Sequence, residues 1–125
     1  MINSAGFRGT QDILPTFLFI GAEKAGTTWF YARLKEHPDI FVPETKELHF
    51  FNKYNSNLEK MDRFEKLGLN YYQRFFQRYA GEKAIGEVCP MYLCDPCAPV
   101  RIRQTLPQVK LIACLRNPAD RAYSH

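Results

Sequence analysis

Apolar residues follow one another without strict alternation in two stretches of the chain. Residues 16–20 read TFLFI and residues 109–115 read VKLIACL, so most successive side chains in each stretch are hydrophobic. Such a pattern is typical of a parallel β-strand that is covered on both faces. We therefore predict two buried strands here, and two weaker strand signals lie at residues 40–42 and 83–88.

Helical patterns separate these strands. Residues 27–36 are predicted to form a helix that ends before Pro38, and residues 96–106 form another with a proline near its start. Residues 71–79 are amphipathic, and residues 52–70 before them are polar and predicted to be loop, with a turn of helix near residues 61–67. Four aromatic positions share the apolar face of this third helix: Tyr72, Phe75, Phe76 and Tyr79.

Strands that alternate with helices predict an α/β fold, a three-layer parallel sheet with right-handed crossovers. We expect a single domain over residues 1–125, with residues 1–14 as a flexible N-terminal segment. The chain ends inside a predicted helix that begins near Pro118, and a domain boundary is not expected inside a helix. We therefore expect the N-terminal portion of a larger domain, incomplete at its C-terminus.

The overall composition is that of a folded protein, with 46% hydrophobic and 24% charged residues among 125. The net charge of +4 suits an anionic ligand, but without a stripe of lysine or arginine it argues against nucleic acid as a partner. No apolar run approaches the about 20 residues that span a bilayer, and no signal-peptide pattern opens the chain. We therefore predict a cytoplasmic protein, or a domain cut from a longer one, and no transmembrane segment.

Four cysteines raise the question of a metal or redox site. Cys94 and Cys97 form a CxxC motif, which occurs in zinc sites and in redox pairs. Cys89 and Cys114 do not form the second pair that a four-cysteine zinc site needs. The pattern therefore favours reduced thiols with a structural role, and no metal site is predicted.

The loop between the first strand and the first helix has the composition of an anion-binding loop. Gly21 and Gly26 bracket Lys24, and Thr27 and Thr28 open the helix. Backbone N–H groups of such a loop converge on a phosphate-like anion, and the helix N-terminus favours negative charge. The P-loop pattern GxxxxGKS/T differs, because its lysine follows the second glycine. The alternative is a tight strand-to-helix turn that needs glycine only for its backbone.

A second candidate element follows the other strong strand. Arg116 comes at the end of this strand, and Ser124 lies eight residues later in the predicted helix. Because the carboxyl ends of parallel strands share one edge of a sheet, both elements can reach a single ligand there. The alternative is a solvated basic helix start.

Taken in this order, GAEKAGTT and LRNPADRAYSH resemble the two nucleotide-binding elements of sulfotransferases that use 3′-phosphoadenosine 5′-phosphosulfate (PAPS). The resemblance extends from about residue 16 to the end of the chain. It implies that Arg116 and Ser124 bind the 3′-phosphate of PAPS. It further implies that the 5′-phosphosulfate is held by Lys24, Ala25, Gly26, Thr27 and Thr28, with Lys24 also catalytic.

A third segment, KELHFF, resembles the KExxFF-type element of the glycosaminoglycan-modifying and bacterial branches of that family. The resemblance implies that Glu47 is the general base, with Lys46 beside it. His49 is the rival base, and an exposed helix-start ion pair is the structural alternative. GEVCPMYL resembles a GExxPxY segment near the acceptor pocket, although Cys89 stands where a small or hydroxyl residue is more usual.

The implied reaction is sulfuryl transfer from PAPS to a hydroxyl or amine, on a small-molecule or carbohydrate acceptor. The resemblance implies no metal, because lysine and arginine supply the cations. Two alternatives stay open from the sequence. One is a P-loop kinase or other nucleotide-binding protein of the same architecture. The other is an inactive, truncated fragment that binds the nucleotide without turnover.

Overall fold

Four parallel strands organise residues 13–23 and 26–115, the part of the chain that the computed structural model describes. They are β1 (Phe17–Gly21), β2 (Ile40–Phe41), β3 (Ala84–Val88) and β4 (Lys110–Ala113). Their order across the sheet is β2-β3-β1-β4, and each neighbouring pair is parallel. The predicted α/β fold is therefore confirmed, and all four strands lie within a residue or two of their predicted places.

Helices connect the strands. They are α1 (Thr27–Glu36), α2 (Arg63–Gln73), which continues into a 3₁₀ turn (Arg74–Phe76), α3 (Met91–Cys94) and α4 (Ala98–Thr105). None of these described helices is long and apolar enough to cross a membrane. The short α3 was not predicted, because four residues carry too little periodicity to be recognised.

The third predicted helix, residues 71–79, is wrong in its bounds. The helix α2 begins at Arg63, where a turn of helix was predicted within a longer loop, and most of it lies before residue 71. Gly68 interrupts the helical conformation at φ 78°. A glycine at this position also breaks the helical pattern of the sequence. The predicted aromatic face is confirmed, since Tyr72 and Phe76 are completely buried.

An aromatic core lies beneath the sheet and fixes the elements that carry the site. Tyr72 stacks on Phe50 with 4.5 Å between ring centroids, and Phe51 contacts Tyr92 at 5.5 Å. Leu18, from the central strand β1, is fully buried in the same cluster. Ile13 and Leu14 pack against this core, whereas the rest of the predicted N-terminal segment lies outside the described residues.

The burial predicted for strand β4 is wrong. Its position is as expected, but all four of its residues are exposed, with Leu111 54% and Ile112 44% accessible. The physical reason is its place in the sheet: β4 is an edge strand that pairs with β1 alone among the described strands. Its apolar sequence has the character of a covered strand, although no described element covers it.

Candidate functional site

The turn from β1 into α1 depends on two glycines. Gly21 has φ 143°, and a Cβ atom there would lie 3.1 Å from both the Cβ of Leu93 and the carbonyl oxygen of Pro90. Gly26 has φ 87° and forms the N-cap of α1 in the left-handed conformation. Both backbone conformations favour glycine, so the turn requires these residues whether or not it binds a ligand.

The N-terminus of α1 is open to an anion. No side chain caps it in the described part of the chain, and its first turn carries no acidic residue. Phe30 donates the first intrahelical hydrogen bond, to the carbonyl of Gly26 at 3.0 Å. The backbone N–H groups of Thr27, Thr28 and Trp29 precede this bond, and a helix offers them no carbonyl partner. N–H groups at the start of a helix can bind phosphate or sulfate oxygens.

This helix end and the KELHFF segment share one cleft of about 240 Å³. The ammonium of Lys46 joins its two sides, because it donates to the hydroxyl of Thr28 at 3.3 Å and to the carboxylate of Glu47 at 2.8 Å. Lys46 and Glu47 therefore lie in one cleft with Thr28, which precedes them by 18 and 19 positions in the sequence. The described residues that line it are Glu23, Gly26, Thr27, Thr28, Lys46, Glu47 and Pro90.

Four of the predicted site residues, Lys24, Ala25, Arg116 and Ser124, lie outside the described residues. The described chain that leads toward the second element nevertheless ends close to the first. Cys114 donates its N–H to the carbonyl of Gly21 at 2.7 Å, and Ala22 donates to the carbonyl of Cys114 at 3.0 Å. The ends of β1 and β4 are therefore hydrogen-bonded neighbours at the edge that carries the cleft.

The carboxylate of Glu47 is held in its charged form. One oxygen lies 3.5 Å from Nε2 of His49 and the other lies 2.8 Å from Nζ of Lys46. Hydrogen bonding from His49, followed by that from Lys46, lowers the pKa of Glu47 to about 2, against burial that raises it. Glu47 is therefore anionic at neutral pH, and it must lose part of this stabilisation before it can accept a proton readily.

His49 contacts this carboxylate through a defined ring nitrogen. The amide nitrogen of the buried Asn52 lies 3.3 Å from Nδ1 of His49 and donates also to the carbonyl of Tyr54. An amide donor at Nδ1 selects the tautomer that carries its proton on Nε2, which faces Glu47. In this arrangement His49 is a donor to Glu47, which favours Glu47 over its rival as the proton acceptor.

The backbone that presents these groups is strained and anchored. Glu47 and His49 both adopt positive φ angles, 49° and 53°. Glu47 donates its N–H to the carbonyl of Val88 at 3.0 Å, and Arg63 donates to the carbonyl of Leu48 at 2.7 Å. Non-glycine residues hold such conformations only where surrounding contacts fix them, and these positions often occur at functional sites.

Sequence reasoning missed the role of Glu87, which lies below this segment in β3. Its carboxylate is 1% exposed and accepts hydrogen bonds from the hydroxyls of Tyr72 and Tyr92, each at 2.6 Å. Burial raises the pKa of Glu87 to about 7, although both phenols oppose the shift. The signal in the sequence was a glutamate inside an apolar strand, which is rare unless the charge is paired.

One residue within the CxxC motif, Asp95, anchors the backbone around it. Asp95, between the two cysteines, accepts hydrogen bonds from the backbone N–H groups of Lys53, Tyr54 and Cys97, at 2.8 to 3.1 Å. Cys94 is exposed and Cys97 is partly buried, and both are free thiols. Within residues 13–23 and 26–115 no cluster of three His, Cys, Asp or Glu side chains is arranged to hold a metal ion.

Comparisons with known proteins agree with this geometry. A family model described as "Sulfotransferase domain" matches residues 14–125. The chain is 36% identical over 114 residues to the membrane-associated sulfotransferase kil1 of Dictyostelium discoideum. It is 35% identical over 122 residues to the bifunctional heparan sulfate N-deacetylase/N-sulfotransferase 1 of Mus musculus.

A solved structure is similar as well. The sulfotransferase from Alicyclobacillus acidocaldarius superposes with a TM-score of 0.74 at 33% identity, over 90% of this chain and 48% of that one. The two curated relatives are matched over 89% and 92% of this chain, but over only 22% and 13% of their own lengths. The chain thus spans a minor part of those relatives and about half of the structural neighbour.

Proposed function

Because this chain belongs to the sulfotransferase family, we propose that the protein which contains it transfers a sulfuryl group from PAPS to a hydroxyl or amine acceptor. The observation that carries the proposal is the cleft in which an open helix N-terminus, an ammonium and a carboxylate face one another. When bound, PAPS supplies the activated sulfuryl group. The side chains around the cleft supply charge, position and a proton acceptor.

The donor is proposed to bind along the end of α1. The backbone N–H groups of Thr27 and Thr28 have the geometry and the charge preference that a 5′-phosphate needs. Glycine at position 26 lets an anion approach closely, since nothing lies within 4 Å of the place where a Cβ would stand. The motif resemblance adds Lys24 and Ala25 to this group, and it assigns the 3′-phosphate to Arg116 and Ser124.

We propose that Glu47 activates the acceptor as a general base. A positioned general base contributes typically 10²–10⁴-fold to a rate, provided that its pKa suits the proton it accepts. The hydrogen bond from His49, together with the hydrogen bond and charge of Lys46, keeps the pKa of Glu47 too low for this task. Lys46 also reaches Thr28, so it can turn toward a bound anion and release Glu47. Donor binding would thereby raise the basicity of the acceptor's base.

The acceptor is proposed to be a carbohydrate, with a natural-product hydroxyl as the other class. Support comes from the likeness of KELHFF to the glycosaminoglycan-modifying and bacterial branches. The mouse relative, named as a heparan sulfate N-sulfotransferase, is similar over 92% of this chain. Glu47 is 34% exposed through its side chain, so a bulky hydroxyl or amine can reach it from the mouth of the cleft.

The test uses the full-length protein, PAPS labelled in its sulfuryl group, and a panel of N-deacetylated polysaccharides, simple sugars and phenols. Label transfer to one acceptor class supports the proposal and names the class. Calorimetry with adenosine 3′,5′-bisphosphate and with ATP–magnesium runs in parallel. Preference for ATP–magnesium would replace the proposal with the kinase alternative, and bisphosphate binding without any transfer would leave an inactive binding protein.

The Arg116→Ala variant tests the assignment of the second element. We expect it to weaken binding of 3′-phosphorylated adenosine nucleotides far more than binding of adenosine 5′-phosphosulfate, which lacks that phosphate. Arg103→Ala, an exposed arginine on α4, is the matched control for the loss of one positive charge. Equal losses for both nucleotides in Arg116→Ala would remove the proposed role of Arg116.

A further inference from the structure

The buried carboxyl group of Glu87 is hydrogen-bonded to side chains outside the β-sheet. The phenols of Tyr72 and Tyr92 donate to its two oxygens. The next residue along β3, Val88, accepts the backbone N–H of Glu47 at 3.0 Å. Strand β3 is thus bonded directly to the segment that carries the candidate base.

A second connection runs through Tyr92. Its hydroxyl donates to Glu87 at 2.6 Å and accepts the backbone N–H of Phe50 at 3.2 Å. Glu87 therefore reaches the segment at Phe50 through one phenol. This connection is shielded from water, since Tyr92 is 2% and Phe50 1% exposed.

These bonds act on a backbone that needs support. The positive φ angles at Glu47 and His49 flank Leu48, and a free chain avoids them for residues with a Cβ. Buried hydrogen bonds cannot be exchanged for bonds to water, so breaking one leaves a polar group unpaired at a cost. The cluster is thus placed to keep the segment in the conformation that aims Glu47 at Lys46 and Thr28.

We propose that Glu87 is a positioning residue, whose buried carboxyl group, through Tyr92, holds residues 47–50 in the conformation that presents Glu47 to the cleft. The inference deepens the proposed function, because it takes Glu47 as the base on which that function rests. Glu87 itself does not line the cleft; it acts through Tyr92 and the backbone of Phe50.

The two tyrosines provide a matched pair for the test. Each donates one 2.6 Å hydrogen bond to Glu87, and each is buried. Only Tyr92 also accepts a bond from the segment, at Phe50. Phenylalanine keeps the ring in both variants, including the stacking of residue 72 on Phe50. A purely structural role predicts parallel effects of Tyr72→Phe and Tyr92→Phe, whereas a positioning role separates them.

The kinetic arm measures kcat, acceptor KM and nucleotide affinity in the full-length protein. We expect Tyr92→Phe and Glu87→Gln to lower kcat by about 10- to 100-fold, the usual effect of displacing a catalytic group, with unchanged affinity for adenosine 3′,5′-bisphosphate. Tyr72→Phe should lower the melting temperature as Tyr92→Phe does and leave kcat nearly unchanged. Equal losses of kcat in the two tyrosine variants would overturn the proposal.

An arm independent of turnover measures amide hydrogen exchange in the same proteins. The N–H group of Phe50 should be protected in the unaltered protein, and Tyr92→Phe should speed exchange there while Tyr72→Phe does not. Unchanged protection at Phe50 in Tyr92→Phe would overturn the positioning role by itself. Absence of any sulfuryl transfer in the unaltered protein, with the expected exchange pattern, would instead overturn the proposed function alone.

Discussion

Lys46 and Glu47 are adjacent in sequence, and their side chains pair at 2.8 Å while Lys46 also reaches Thr28 across the cleft at 3.3 Å. One cation therefore serves both the candidate base and the helix end where an anion would bind. A bound anion and Glu47 compete for the same ammonium. This competition would couple occupation of the donor site to the basicity of the acceptor site.

Replacing Lys46 with methionine should raise the pKa of Glu47 above its present value of about 2, because the ion pair is lost. Carboxyl NMR chemical shifts of Glu47, followed as a function of pH, measure the change directly. Donor binding should weaken in the same variant, since the cleft loses positive charge. Lys60→Met, at an exposed position outside the cleft lining, is the control. A pKa of Glu47 that stays near its original value would contradict the coupling.

Glu47→Gln should remove the proton acceptor and keep the shape of the side chain. We expect kcat to fall by about 10²–10⁴-fold, the usual contribution of a general base, while nucleotide affinity changes little. Glu44→Gln removes an exposed carboxylate that pairs with Lys35, so it controls for the loss of one charge in the same region. The base would have to be sought elsewhere if both variants retained full turnover.

Stability should depend on pH in opposite directions for the two glutamates. The folded-state pKa of Glu87 is raised to about 7, so the native state binds the extra proton, and stability decreases as pH rises from about 4.5 toward 7. The loss amounts to the order of 3 kcal/mol, at about 1.4 kcal/mol per pKa unit. The folded-state pKa of Glu47 is lowered, so its contribution is present above about pH 4.5 and is lost as pH falls toward 2.

Urea unfolding at a series of pH values checks this dependence. The free energy of unfolding should decline between about pH 5 and 7 in the unaltered protein, and Glu87→Gln should flatten that decline. Glu87→Gln lacks this one carboxyl, so the comparison isolates its contribution. The same pH dependence in both proteins would contradict the raised pKa of Glu87.

Gly86→Ala should destabilise the sheet without altering the chemistry of the cleft. A Cβ at this position would lie 2.0 Å from the ring of Phe17, its partner on the neighbouring strand β1. Overpacking of this kind costs about 1–3 kcal/mol, which thermal unfolding would register as a lower melting temperature. Affinity for adenosine 3′,5′-bisphosphate should be retained below that temperature, and loss of binding in a folded variant would contradict the separation.

The sequence alone was sufficient to predict elements whose residue pattern lies within one short stretch of the chain. The apolar run of β1, the glycines at 21 and 26 and the helix that follows lie within 20 residues, and all are found where they were predicted. The position of β4 was also predicted from the sequence. Its exposure could not be predicted, because burial depends on what covers the strand and not on the strand's own residues.

The buried hydrogen bonds around Glu87 could not be predicted from the sequence, because they also depend on the fold. Tyr72 and Glu87 are 15 residues apart, and Phe50 and Tyr92 are 42 apart, so neither pair produces a periodic pattern. The KELHFF segment was recognised only through its resemblance to a known motif, since its strained backbone has no signature in propensity. Its meeting with the helix end required the fold, which brings residues 28 and 46 together.

The outer edge of β4 has a practical consequence for work with this polypeptide. Leu111 and Ile112 present apolar side chains on a strand whose hydrogen-bonding groups on one side have no partner strand in the described sheet. An edge of this kind is a template on which another chain can add a strand, and it promotes aggregation. Light scattering at increasing concentration should accompany every binding measurement, so that self-association is not mistaken for a ligand effect.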